Sequence, residues 1–131
     1  MIGFKAFASC TNLRNFDFTN VKVIENSAFS GCTKLGFAEK TVVLPATIES
    51  VGRNAFSGCT SIFKLEIGYS VIEEFTFSGC SSLKVLTLTG AGQIKNGAFI
   101  NCSSLETSGV TGLTGYKHDY AFDWETEPAE A

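Results

Sequence analysis

Residues 94–105 read Ile-Lys-Asn-Gly-Ala-Phe-Ile-Asn-Cys-Ser-Ser-Leu, and the same spacing of apolar residues recurs along most of the chain. Isoleucine or valine is followed five residues later by phenylalanine, three later by cysteine, and three later again by leucine or isoleucine. The phenylalanines, counting a cysteine-less sixth copy that ends at Phe122, are 22, 27, 21, 22 and 23 residues apart. Such self-similarity predicts an architecture of stacked repeats. The other four copies are Ile2, Phe7, Cys10, Leu13; Ile24, Phe29, Cys32, Leu35; Val51, Phe56, Cys59, Ile62; and Ile72, Phe77, Cys80, Leu83.

A short alternating segment follows the leucine of each copy. Residues 83–88 read Leu-Lys-Val-Leu-Thr-Leu, and residues 13–18 and 62–67 have the same pattern. Alternation with period two predicts a strand with one face buried. Turn-forming residues follow, and the Ala-Phe-x-x-Cys segment then returns as a tight turn or a single 3₁₀ turn. Each coil is therefore expected to contribute one strand to a parallel sheet along one face.

The second copy is longer than the others by about five residues, and the extra residues are placed at positions 36–40, where we expect a bulge or protruding loop. A strand-like segment, residues 41–44, follows, and Pro45 ends it because proline lacks the amide that a ladder needs. Insertions in solenoids often map to loops on the binding side. We expect a tolerated loop without a partner, with a binding loop as the alternative.

The five cysteines all occupy the same position of the repeat, and no Cys-x-x-Cys pair that would indicate a metal site occurs. Neighbouring coils lie about 4.8 Å apart, a distance that permits disulfides. Equivalent side chains in stacked coils point the same way, however, whereas a disulfide needs them to converge. We therefore expect buried, reduced thiols that act as small hydrophobic side chains.

The repeat pattern weakens toward the C-terminus, where Ser108 replaces the expected leucine. We predict one domain over residues 1–124, with five repeats and a C-terminal cap near residues 111–124, and an acidic disordered tail over residues 125–131. No comparable cap precedes the first repeat, and the chain starts inside a repeat. A segment of a longer protein is therefore expected. The residues assigned to the cap are Tyr116, Tyr120, Phe122 and Trp124.

Composition argues against several functional classes. A net charge of −3 and a pI near 5.1 leave no basic stripe for nucleic acid. No apolar run approaches the roughly 20 residues that span a bilayer, and no signal peptide is recognisable. His118 and Asp119 are adjacent, but no nucleophile motif accompanies them. We expect no enzyme, no cofactor and no metal site.

The phrase Ala-Phe-x-x-Cys-x-x-Leu, preceded in the third copy by Leu-Pro-Ala-Thr-Ile-Glu-Ser-Val-Gly-Arg-Asn over residues 44–54, resembles the BspA-type leucine-rich repeat. The resemblance covers about residues 2–122. It departs from the pattern in having a proline in the second copy alone, a shortened turn at residues 67–72, and Thr76 in place of alanine. The resemblance implies a β-rich, right-handed leucine-rich-repeat solenoid from surface or secreted proteins associated with adhesion. The motif itself contains no catalytic residues.

If the leucines point inward, the intervening residues form columns on the exposed strand face. One column is predicted to end at Gly109, and a neighbouring one at Thr107. Phe63 and Val85 are predicted to be solvent-exposed apolar residues among charges of both signs, a mixture typical of protein-binding surfaces. The predicted protein-binding face comprises Arg14, Asn15, Asp17, Val43, Phe63, Lys64, Glu66, Lys84, Val85, Thr87, Glu106 and Thr107.

These observations and the resemblance together predict a non-catalytic protein-binding or adhesion module. The expected partner is a host or extracellular matrix protein, or another surface protein, and the expected location is extracellular or at the cell surface. A monomer is expected. The alternative is a structural spacer within a larger surface protein, with no ligand of its own.

Overall fold

Parallel strands from successive coils pair with one another in the computed structural model, which describes residues 1–125. Within residues 1–125, three short 3₁₀ turns interrupt the coils, at Phe37–Glu39, Thr107–Gly109 and Leu113–Gly115. The described residues thus form the expected β-rich solenoid. Its strands are β1 (Val23–Ile24), β2 (Thr41–Leu44), β3 (Ser50–Val51), β4 (Lys64–Ile67), β5 (Val71–Ile72), β6 (Val85–Leu88), β7 (Gly92–Ile94), β8 (Val110–Thr111) and β9 (Tyr116–His118).

The longest strands form a four-stranded sheet in the order β2-β4-β6-β8, here called the long-strand sheet. Alternate side chains of its strands are buried, as the period-two pattern predicts: Leu65 and Ile67 in β4, and Leu86 and Leu88 in β6. The register aligns Leu65 with Leu86 and Ile67 with Leu88. Leucine and isoleucine columns therefore line one wall of the core.

A second set of short strands corrects the expectation of one strand per coil. Strands β5, β7 and β9 form a three-stranded sheet, and the β1-β3 pair precedes it along the same side, where β3 contacts β5. The isoleucine or valine that opens the second to fifth repeats lies in these strands: Ile24 pairs with Val51, and Ile72 pairs with Ile94. Two or three residues are too few to show an alternating pattern, so the sequence did not predict these strands. We call this side the second face.

The return side consists of consecutive β-turns, which confirms the predicted tight turn. In the second coil, Ala28 N donates to Glu25 O, and Cys32 N donates to Phe29 O, both at 3.2 Å. The remaining amides bond to the next coil, as Phe29 N does to Ala55 O at 2.8 Å. The position two residues before each core phenylalanine is left-handed in all six coils, with φ between 50° and 68°. These positions are Lys5, Ser27, Asn54, Phe75, Gly97 and Tyr120.

The phenylalanines of the repeat form a continuous ladder through the core. Successive rings lie 5.1–5.3 Å apart between centroids, with interplanar angles of 11° or less. The spacing follows from the stacking of the coils, because equivalent side chains repeat with the backbone ladder. Burial of large aromatic rings is a major source of stability. The ladder comprises Phe7, Phe29, Phe56, Phe77, Phe99 and Phe122.

The cysteines form a second column beside the ladder. None of the five is in a disulfide, in agreement with the prediction of free thiols. Four are buried, whereas Cys10 in the first coil is half-buried. Each buried thiol donates to the carbonyl of the core phenylalanine one coil earlier, at 3.0–3.3 Å. Burial raises the pKa of the Cys59 thiol, which keeps it protonated.

The first coil lacks the strand that the sequence predicts over residues 13–18. Its inward residues are correctly identified, since Phe18 is buried and Phe16 is half-buried. Gly36 N donates to Arg14 O, but the second coil then leaves the stack at Phe37 and returns only at Thr41. The residues that would pair with the first coil are therefore displaced. Residues 37–40 are exposed, which confirms the predicted protruding loop.

The fifth coil is out of step with the predicted columns by two residues. Thr87 pairs with Thr111, where the sequence analysis placed Gly109. The cause is the 3₁₀ turn Thr107–Gly109, which lengthens the path from Leu105 to the next strand. Gly109 lies tight against the preceding coil, since a Cβ there would come within 2.2 Å of Lys84 O.

The C-terminal end of the described chain is aromatic. Phe122 continues the ladder, and Trp124 stacks on it with centroids 4.5 Å apart. Glu125, which the sequence analysis assigns to the tail, contacts this end: its carboxylate accepts from Ala121 N at 3.1 Å and pairs with His118 Nδ1 at 2.9 Å. The other residues of the predicted tail, 126–131, lie outside the described residues.

Candidate binding face

The exposed side of the long-strand sheet holds five of the predicted face residues. Val43, Glu66 and Thr87 form one row across β2, β4 and β6, and Lys64 lies beside Val85 in the next row. Val43 is 44% exposed and Val85 is 38% exposed. Isolated exposed apolar side chains are common on protein surfaces, but here two occur on the same side of one sheet. The sheet therefore presents apolar and charged side chains together.

A shallow groove of about 390 Å³ lies at the C-terminal half of this face. Phe63 forms part of its wall and is half-buried, so it is less exposed than the sequence analysis predicted. The ring is partly covered because Phe63 directly precedes β4 and borders the turn of the next coil. The groove is lined by Phe63, Lys84, Val85, Ser104, Glu106, Ser108 and Gly109.

Charges of both signs surround the groove. Lys84 and Glu106 both line it, and Lys64 and Glu66 lie in β4 beside it. Within residues 1–125, the ion pairs are Arg53–Glu74, Lys95–Glu73 and His118–Glu125, none of which involves this face. The four charged side chains are thus available to pair with a partner of mixed charge.

The three predicted face residues of the first coil lie apart from the sheet. The Arg14 guanidinium stacks over the exposed Phe37 ring of the protruding loop, 4.4 Å from its centroid. Asp17 bonds locally: the Thr19 hydroxyl and amide both donate to its carboxylate, which lowers the pKa of Asp17. Asn15 lines a small crevice of about 90 Å³ between the first coil and β2. The structure does not unite these residues with β4 and β6.

Of the two predicted face residues in the fifth coil, one lies at the groove and the other lies away from its predicted position. Glu106 lies at the groove, but Thr107 begins the 3₁₀ turn, and Gly109 takes the predicted place of Thr107 beside Val85. Thr111 joins the row of Val43, Glu66 and Thr87. Sequence reasoning missed Thr111 because the 3₁₀ turn leaves no trace in the alternation of apolar residues.

His118, the residue that the sequence analysis considered for catalysis, is held by contacts within the C-terminal end of the described chain. The His118 ring pairs with Glu125 rather than with Asp119, and its edge packs on Phe122 with centroids 5.9 Å apart. Among the described residues, no group of three or more His, Cys, Asp or Glu side chains is arranged to hold a metal ion. Across residues 1–125, no helix is long and apolar enough to cross a membrane.

Three exposed phenylalanines among the described residues were not singled out by the sequence analysis: Phe4, Phe37 and Phe75. Phe75 is 44% exposed and lies on the side of the molecule away from the predicted face, next to the second face. It occupies the left-handed position two residues before the core phenylalanine, where other copies have lysine, serine, asparagine, glycine or tyrosine. Aligning the copies on their core phenylalanine would have singled out Phe75 from sequence.

Parallel strands stacked coil upon coil around columns of leucine and isoleucine define a leucine-rich-repeat solenoid. The family model for the BspA type leucine rich repeat region matches residues 1–127 in six copies. The chain therefore belongs to the BspA-type leucine-rich-repeat family, whose members are typically non-catalytic repeat modules of surface or secreted proteins. Comparisons with curated proteins and with solved structures find no match.

Proposed function

We propose that this chain is a protein-binding or adhesion module that holds its partner on the exposed side of the long-strand sheet. The partner is a host or extracellular matrix protein, or another surface protein, and the chain acts outside the cell or at its surface. The supporting observation is the groove at Phe63, Lys84 and Val85, where a half-buried aromatic ring borders exposed apolar and charged side chains.

Two physical properties favour a protein partner at this place. The centre of a protein interface excludes water from apolar and aromatic side chains, and its rim is polar. Phe63 and Val85 would supply the centre, and Lys64, Lys84 and Glu106 the rim. The sheet is also rigid, because each of its inner strands is paired on both sides. A rigid surface loses little conformational entropy on binding.

The test measures binding of the chain to immobilised fibronectin, laminin and a collagen. For a surface that the wild-type chain binds, the double variant Phe63→Ser, Lys84→Glu is expected to weaken binding by about tenfold or more, because interface energy concentrates in a few central residues. Val71→Ser is the matched control, since Val71 is 39% exposed but lies in β5 on the second face. This control should bind like the wild type.

Two outcomes count against the proposal. Undiminished binding by a folded double variant would place the site elsewhere on the molecule. Absence of binding to every surface by the wild-type chain would favour the alternative, a structural spacer that holds neighbouring parts of a surface protein apart.

A further inference from the structure

A groove of about 470 Å³ runs along the second face at coils four to six. Its floor is formed by β7 and β9, which pair in parallel through Gln93 and Lys117. Its volume is within the range of small-molecule sites, roughly 300–1,000 Å³. The lining side chains that can form hydrogen bonds are Glu74, Gln93, Lys95, Asn96, Lys117, His118 and Asp119.

Phe75 is adjacent to the residues that line this groove, and its ring packs against Gly97. Its neighbour Glu74 lines the groove, and Gly97, on which its ring rests, follows another lining residue, Asn96. A Cβ on Gly97 would come within 2.5 Å of the ring, so the ring lies directly on the glycine backbone. Because Phe75 is 44% exposed, part of its ring is open to solvent. The result is a flat aromatic platform beside a polar groove.

The packing of the coil does not require an aromatic residue at this position. Phe75 has φ of 59°, a left-handed conformation that disfavours bulky side chains. Asn54 and Gly97 occupy the same position in the adjacent coils, and both residue types tolerate this conformation better. The sequence thus places an exposed ring in a disfavoured conformation next to a groove. Such strain is an observation from which a functional hypothesis can start.

The charges of the groove balance. Glu74 and Asp119 oppose Lys95 and Lys117, and two of these four already have partners, since Glu74 pairs with Arg53 at 3.1 Å and Lys95 with Glu73 at 3.0 Å. Gln93, Lys117 and Asp119 then offer both donors and acceptors to a ligand. A balanced set of donors and acceptors suits a neutral ligand that carries hydroxyl groups more than an ion of either sign.

We propose that this groove binds a neutral oligosaccharide, with one pyranose ring lying on the exposed part of the Phe75 ring. The C–H face of a pyranose is apolar and flat, so it can cover the aromatic ring, and its hydroxyl groups are both donors and acceptors. Hydroxyls of the neighbouring sugar would reach Gln93 and Asp119 in the groove. This site is separate from the long-strand sheet and does not depend on the function proposed for that sheet.

A comparable groove of about 440 Å³ over coils one to three is a weaker candidate. It also contains an exposed ring, Phe4, but its polar groups bond within the protein. Asn26 Oδ1 accepts from Arg53 N at 2.9 Å, and Glu25 Oε1 accepts from Phe4 N at 3.2 Å. Phe4 therefore provides a matched control for Phe75.

The experiment is a titration of the chain with maltopentaose, cellopentaose and chitopentaose. Binding is monitored through the amide chemical shifts in NMR spectra. At least one sugar should cause saturable shifts centred on Glu74, Gln93, Asn96 and Gly97. Phe75→Asn should weaken that binding by about tenfold or more, because it removes the platform. Its melting temperature should stay near that of the wild type, since asparagine suits the left-handed conformation. Phe4→Asn should bind like the wild type.

Several results would overturn the inference. They are the absence of saturable shifts with all three sugars, binding by Phe75→Asn equal to that of the wild type, and shifts at these amides caused by polyglutamate or polylysine in place of the sugars. If Phe75→Asn does not fold, Gln93→Ala takes its place, because Gln93 is exposed and its loss leaves the ladder intact. Unchanged sugar binding by Gln93→Ala would then contradict the site.

Discussion

The phenylalanine ladder and the exposed side of the long-strand sheet belong to the same coils, yet they differ in how strictly their residues repeat. Six consecutive coils place phenylalanine in the ladder. The exposed row of the sheet instead contains Val43, Glu66, Thr87 and Thr111. A ring in the ladder must fit between two others about 5 Å away, whereas a side chain in the exposed row meets only water on one side. Repetition along the chain therefore identifies scaffold, and variation identifies the surface where specificity can lie.

The largest expected effect is loss of a ring in the middle of the ladder. Phe77 is fully buried between Phe56 and Phe99, so Phe77→Ala should reduce the free energy of unfolding by about 3–5 kcal/mol. That is much of the stability of a domain this size. Phe7→Ala, at the half-buried end of the ladder, should cost roughly half as much, because less surface becomes exposed. Urea denaturation of both variants provides the measurement, and equal losses would contradict a ladder that depends on both neighbours.

An intermediate effect is expected at Gly109, which lies tight against the backbone of the preceding coil. Gly109→Ala would place a Cβ within 2.2 Å of Lys84 O and should cost about 1–3 kcal/mol. The amides of β8 should also exchange faster with deuterium, since the contact sets the position of that strand. Gly3→Ala is the control, because its Cβ would lie 3.7 Å from the nearest atom, the flexible Glu25 carboxylate. Similar losses in both variants would show that the close approach at Gly109 does not matter.

The smallest effect is expected on the exposed row itself. Val43 and Val42 are adjacent in β2, but Val43 is 44% exposed and Val42 is 6% exposed. Val43→Thr should change the free energy of unfolding by no more than about 0.5 kcal/mol. Val42→Thr should cost about 1–3 kcal/mol, because it buries a hydroxyl. Thermal and urea unfolding distinguish the two variants. An equal cost would contradict the difference expected between the buried and the exposed side of β2.

Much of the fold was predictable because the same residue pattern recurs in every coil, so that each copy supports the interpretation of the others. The columns of phenylalanine and cysteine, the inward leucines of β4 and β6 and the loop at residues 36–40 all follow from spacing and alternation. The strands of the second face were missed because two or three residues carry no measurable period. The first coil and the fifth coil were misplaced because their pairing depends on the paths of neighbouring coils.

The candidate site was predictable only in its regular centre. Glu66, Lys64, Val85 and Thr87 lie where the alternation places them. Arg14 turns instead to the ring of Phe37, an attraction between groups of different coils that no local pattern reveals.

The sequence by itself determined the repeat and the residues that stack in the core, because burial of apolar side chains recurs at a fixed spacing. Only the tertiary structure decided that Thr111 joins the exposed row and that the Phe75 ring packs against Gly97. These features depend on the register between coils. Register is set by backbone pairing and close contacts across about 22 residues of chain, and the order of residues within one coil does not contain it.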